Sequence, residues 1–162
     1  MNDNSNRILV LAIGNDLMGD NAVTLLSARE LKKVFGNDVD IFEVSSAGFS
    51  LLDVIEGYSN VLIINTIPAF SLSECSIMEL SKEDLSSQIC LSPHYAGIPK
   101  LLHLTDKLNI KIPVDIRALV VSVHDFGIIR EGLSSEISNI LPLLVQKASG
   151  IIEEWFKKAI YI

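Results

Sequence analysis

Cysteine is scarce in this chain. Cys75 and Cys90 are the only two in 162 residues, and they lie too far apart for a CxxC metal knuckle or a redox dithiol. A disulfide-stapled scaffold is thereby excluded, and both thiols are expected to be small buried hydrophobes of a cytosolic protein. Long apolar runs are missing as well. The longest, Ile8 to Ile13, falls far short of the roughly 20 residues that span a bilayer, so no transmembrane helix and no membrane partner are expected. The polar start, Met1 to Arg7, has no basic-then-apolar order of a secretory signal, which points to the cytoplasm. Positive charge is in deficit: 13 Lys and Arg against 20 Asp and Glu leave a net −7, which disfavours nucleic acid and anionic lipid surfaces as partners. Apolar mass is plentiful. With 49% hydrophobic residues and a mean hydropathy of +0.40, the chain can offset its ordering entropy, and its length fits one domain, 1–162, around one core.

The pattern alternates strands and helices. Arg7 to Ile13 reads as a strand covered on both faces, near the centre of a parallel sheet. After the loop Gly14 to Gly19, an amphipathic helix is expected from Asp20 to Phe35, ending in basic residues before Gly36. Val39 to Val44 and Val61 to Ile64 read as further strands with a short helix, Phe49 to Gly57, between them. Ser76 to Leu80 is a weaker strand, and Ser81 to Ser92 an exposed Ser-rich loop reaching Pro93. Gly97 to Leu108 has helical spacing, Ile116 to Val123 is a fifth strand, and a last helix runs from an N-cap at Ser134 toward Tyr161. Pro142 is expected to kink or divide it. The order predicts an α/β fold, a three-layer sandwich whose twisted, mostly parallel five-stranded sheet lies between helices.

Parallel sheets bind ligands outside the carboxyl ends of their strands, so polar residues after apolar runs are the candidates. Gly14-Asn15-Asp16-Leu17-Met18-Gly19-Asp20-Asn21 follows the first strand. Its glycine spacing fits neither a dinucleotide fingerprint nor a phosphate loop, so no nucleotide cofactor is expected, and a turn with a helix cap would explain it alone. Asn65-Thr66 ends the third apolar run, where an ordinary strand-ending Asn is the simpler reading. His94, in Ser92-Pro93-His94, has the setting of a metal ligand, an acid or base, or a cap. His103 lies in a helix and His124 has only Asp125 nearby. No Ser, Cys or Thr sits in the setting of an activated nucleophile.

Leu11 to Asn15, Asp20-Asn21 opening a helix, Ala47-Gly48, Val61 to Thr66, Ser92-Pro93-His94 and Gly132-Leu133-Ser134 together resemble the hydrogenase maturation proteases in order and spacing, over nearly the whole chain. The resemblance implies the same five-stranded α/β fold. It also implies an endopeptidase that removes a short C-terminal extension from the large-subunit precursor of a nickel-iron hydrogenase once nickel is in place. Such proteases are thought to recognise nickel supplied by the substrate, through an acid after strand one, an acid at the end of strand three and the His of Ser-Pro-His. By position these functions fall on Asn21, Asn65 and His94, with Gly14, Asn15 and Asp16 beside them expected to contact substrate.

Both acidic positions carry Asn, which keeps the shape of Asp and removes its charge, whether in a naturally degenerate member or an engineered variant. An amide offers a neutral oxygen where divalent-metal affinity depends on ligand charge, so weakened activity is expected. Asp20, adjacent to the first position, is the possible substitute, or else Asp16 in the same loop if the loop turned. Two further readings stand beside the peptidase: a non-catalytic assembly factor that docks on the precursor, and a flavodoxin-like small-ligand binder, for which the phosphate cradle is missing.

Overall fold

The computed structural model describes residues 7–45, 51–70, 75–86 and 112–160. Five strands form one sheet: β1 (Ile8–Ile13), β2 (Asp40–Val44), β3 (Asn60–Pro68), β4 (Ile77–Leu80) and β5 (Asp115–Val123), in the order β2-β1-β3-β5-β4. All neighbours are parallel except the antiparallel pair of β4 and β5. β3, not β1, is the middle strand. Helices α1 (Val23–Phe35), α2 (Leu51–Ile55), α3 (Lys82–Ser86) and α4 (Ser135–Ile160) flank the sheet.

Because side chains alternate along a strand, each interior strand feeds two cores. Val10, Leu62, Ile64, Leu119 and Val121 pack under α1 and α4 against Val23, Leu31, Ile137, Leu144 and Ile152. Leu9, Leu11, Val61, Ile63, Ala118 and Val120 face the other way, with Ile55 of α2 and Leu85 of α3. This double burial explains why β1 and β3 read as unbroken apolar runs, while Phe42 on β2 and Met78 on β4 are exposed at the edges. Near its end α4 is tied to β5: buried Trp155 donates Nε1–H to Asp115 Oδ2 at 2.9 Å, and Arg117 grips Glu154 through two bonds of 2.9 and 3.0 Å.

Four expectations need correction. β3 runs on past Ile64 to Pro68, so Asn65 and Thr66 lie within the strand, because β5 continues to pair with it up to Pro68 opposite Val123. The helix expected from Asp20 starts as a 3-10 turn, Gly19–Ala22, and becomes α-helical only at Val23. The loop from Ser81 contains α3, which has its own capping box: Asp84 N–H donates to Ser81 Oγ at 3.1 Å, and Ser81 N–H to Asp84 Oδ2 at 2.8 Å. Finally, of the two outcomes expected at Pro142, division does not occur, since α4 is continuous from Ser135 to Ile160. The carbonyl it leaves without a partner belongs to exposed Ser138, where water can serve it, and the buried faces on either side hold one line.

Cys75, expected to be buried, is half-buried. Cys90, His103 and the helix expected over Gly97 to Leu108 lie outside the described residues. Among the described residues, no helix is long and apolar enough to cross a membrane.

Candidate functional site

The turn after β1 is built on a close approach. Gly14 N–H donates to Val44 O at 3.0 Å. A Cβ on Gly14 would run into the hydroxyl of Thr24 and lie 2.7 Å from the Asn21 carbonyl, so only glycine fits there. The buried Thr24 hydroxyl sits 3.0 Å from the Ile13 carbonyl and 3.2 Å from that of Asn21, tying α1 to the end of β1. Asn15 closes the turn: its Oδ1 accepts the Leu17 N–H at 2.9 Å, and its carbonyl the Met18 N–H at 3.2 Å. Asp16 is held by Arg29 through bonds of 3.0 and 2.8 Å, and the same guanidinium takes Glu43 at 3.0 and 2.8 Å. A cleft of about 350 Å³ opens here, lined by Gly14, Asn15, Asp16, Leu17, Glu43 and Ser45 among others.

Asn21 and Asn65 meet at Thr66. Asn21 Nδ2 donates to Thr66 Oγ1 at 2.8 Å, and Asn65 Oδ1 accepts the Thr66 backbone N–H at the same distance. Asn65 is 4% exposed, and its Nδ2 has no hydrogen-bond partner among the described residues. A buried donor left unpaired costs about 1–3 kcal/mol. The two amides are thus used in opposite senses, Asn21 through its N–H and Asn65 through its oxygen. Neither amide contributes charge, so each is a weaker donor to a divalent cation than a carboxylate would be.

Asp20 is committed elsewhere. It is 3% exposed, and its Oδ1 and Oδ2 accept the Ser134 N–H at 2.6 Å and the Ser134 hydroxyl at 2.8 Å, with Arg130 Nη2 at 3.4 Å from Oδ1. Ser134 in turn caps α4, its Oγ accepting the Ile137 N–H at 3.3 Å. The two loops are joined by backbone as well, Gly19 N–H to Arg130 O at 2.7 Å and Arg130 N–H to Leu17 O at 3.0 Å. Asp125 sits in the same cluster, its Oδ2 in ion-pair contact with Arg130 Nη2 at 2.6 Å, although neither of its oxygens accepts a well-aligned hydrogen bond among the described residues. Burial first, and then the neighbouring Asp20 carboxylate, raise the Asp125 pKa above its ordinary value. Asp20→Asn is therefore expected to cost about 1–2 kcal/mol in urea unfolding, through loss of charge-assisted bonds. It should also lower the Asp125 pKa in an NMR titration. An unchanged Asp125 midpoint would refute the pairing.

Of the residues singled out in the sequence, Asn21 and Asn65 are brought together through Thr66, with Gly14 beside Asn21 and Asn15 bonded to Leu17 and Met18 in the turn between them. Asp16 is turned to Arg29 and Asp20 to Ser134, while His94 lies outside the described residues. Sequence reasoning missed the linking roles of Thr66 and Arg130, neither of which carries a local motif.

A family model described as hydrogenase maturation protease matches residues 23–151. The hydrogenase 2 maturation protease of Escherichia coli (strain K12) is 29% identical over 100 residues, 59% of this chain and 61% of that protein, so the match spans less than two thirds of the relative. Among solved structures, the hydrogenase maturating endopeptidase HybD from E. coli superposes with a TM-score of 0.75 at 21% identity, covering 91% of this chain and 93% of that one. The [NiFe] hydrogenase maturation protease HybD from Thermococcus kodakarensis gives a TM-score of 0.70 at 23% identity, over 90% and 99% of the two chains. At these identities the structural likeness establishes the fold.

Proposed function

This chain belongs to the hydrogenase maturation protease family, and from that premise we propose that it is an endopeptidase acting on the large-subunit precursor of a nickel-iron hydrogenase. It removes the C-terminal extension after nickel insertion, in the cytoplasm, and acts weakly as written. The observation that carries this reading is the family match over residues 23–151. Nickel belongs to the substrate, and the positions that meet it are Asn21, Asn65 and His94. The cleft beside Gly14, Asn15 and Asp16 receives the precursor near its cleavage point.

Impairment follows from the polarity of the two amides. Asn21 spends its Nδ2 on Thr66, and Asn65 carries an N–H donor without a partner among the described residues, where the family pattern has a carboxylate. A site with two neutral amides gains no charge attraction for nickel from either position. The same observation favours a second reading, an assembly factor that holds the precursor without cutting it.

Incubating nickel-loaded precursor with the chain and following its C-terminal tail by mass spectrometry separates the two. Slow shortening that requires nickel is the expected result. A stable complex with uncut precursor after prolonged incubation would replace the peptidase by the docking factor.

A further inference from the structure

Cys75, His124 and Glu136 come together where β4, β5 and α4 meet, and one ligand atom from each lies within 4.8 Å of the others. We infer that these three side chains bind a divalent transition-metal ion of the zinc class, at a site distinct from the Asn21–Thr66–Asn65 arrangement. The three residues come from separate parts of the fold: Cys75 precedes β4, Glu136 is in the first turn of α4, and His124 directly follows β5. Against the β3–β5 register, Asn65 pairs with Val120, so His124 lies four residues farther along, or about 13 Å.

The donor set selects the ion. A thiolate and an imidazole with one carboxylate suit zinc and its neighbours, whereas magnesium and calcium require oxygen ligands. Glu136 is already oriented for the task. Its Oε1 accepts the Cys75 backbone N–H at 2.7 Å, and its Oε2 lies 4.0 Å from His124 Nε2, too far for a hydrogen bond. Metal–ligand bonds of zinc length would bring tetrahedral donors to about 3.5 Å from one another. Closing the remaining gap needs only a small rotation of His124, whose side chain is 39% exposed.

Access and protonation set how the ion would enter. A cleft of about 250 Å³ lined by Cys75, Ser76 and Ile77 opens beside the sulfur, so solvent and ions can approach it from that side. The Cys75 thiol is pushed up to about 11, by burial and then by Glu136, so binding must displace its proton and should strengthen as pH rises. On binding, the S–H bond breaks, sulfur keeps the electron pair and donates it to the metal, and the proton passes to water. The ion would fasten edge strand β4 to β5 and α4.

Zinc and cobalt titrations of the chelator-treated full chain test the site. One equivalent of zinc should bind and raise Tm by about 5–10 °C at a hundredfold excess over Kd. Cobalt should give a thiolate-to-metal charge-transfer band. Cys75→Ser should abolish the band, Cys90→Ser should keep it, and His124→Ala and Glu136→Gln should each weaken zinc binding at least tenfold. Persistence of the band in Cys75→Ser, or zinc affinity unchanged in the other two, would overturn the assignment. Should Cys75→Ser fold poorly, His124→Ala decides by the tenfold criterion, since its position is exposed. A cation held at His94 would bind without the sulfur band and without regard to Cys75.

Discussion

Changing Asn21 and Asn65 together to Asp is expected to raise cleavage of nickel-loaded precursor by on the order of a hundredfold, the scale on which metal-site partners act. The geometry already accommodates carboxylates at both positions. An Asp at 65 keeps the bond from the Thr66 N–H, and the Nδ2 that has no partner among the described residues becomes a charged oxygen. An Asp at 21 keeps its contact with Thr66 by a change of direction, the hydroxyl donating where it now accepts. Neither change alone should match the pair, since on the proposed function His94 is the third ligand and with a single carboxylate it would leave a site that water can outcompete. His94→Ala in the double-Asp form should remove the gain. Equal rates for the Asn and Asp forms would sink this account, and full activity without His94 would move the site elsewhere.

Gly14→Ala is expected to destabilise the fold by about 2–4 kcal/mol, combining overpacking with the loss of a buried hydroxyl bond. The added methyl would claim the space of the Thr24 hydroxyl and press on the Asn21 carbonyl. Thr24 could yield only by giving up the Ile13 carbonyl, and Asn21 only by shifting relative to Thr66. Urea unfolding and a Tm lowered by roughly 5–15 °C would register the change. A cost under about 1 kcal/mol would mean that the turn relaxes more freely than its bonds suggest.

The interior strands were legible because double burial leaves a direct trace in composition. Ile8 to Ile13 and Val61 to Ile64 contain nothing polar, whereas β2 and β4, each exposed along one side, gave weaker patterns. The end of β3 was hidden because Asn65 and Thr66 look like a stop, and only pairing with β5 reveals that the strand continues. The start of α3 was readable in principle, since Ser81 and Asp84 have capping-box spacing. At the site, residue types marked Asn21 and Asn65 as candidates, but periodicity cannot show that both meet at Thr66. Asp20 looked available as a substitute ligand because its partner Ser134 is 114 positions away. The convergence of Cys75, His124 and Glu136 is equally long-range and leaves no local signature.

The clasp between Asp20 and Ser134 also imposes an order in time. During synthesis, β1 and the turn that follows it leave the ribosome early, yet the residue that fixes Asp20 arrives 114 positions later. β1 must likewise wait for β3, and β3 for β5, before either has both its neighbours. Topologies dominated by such distant pairings fold slowly and expose apolar edges while they wait. A nascent chain stopped before residue 134 would therefore carry the amino acids of the Gly14–Asn21 turn without the clasp that fixes Asp20, and the apolar face prepared for α4 would lie open to chaperones.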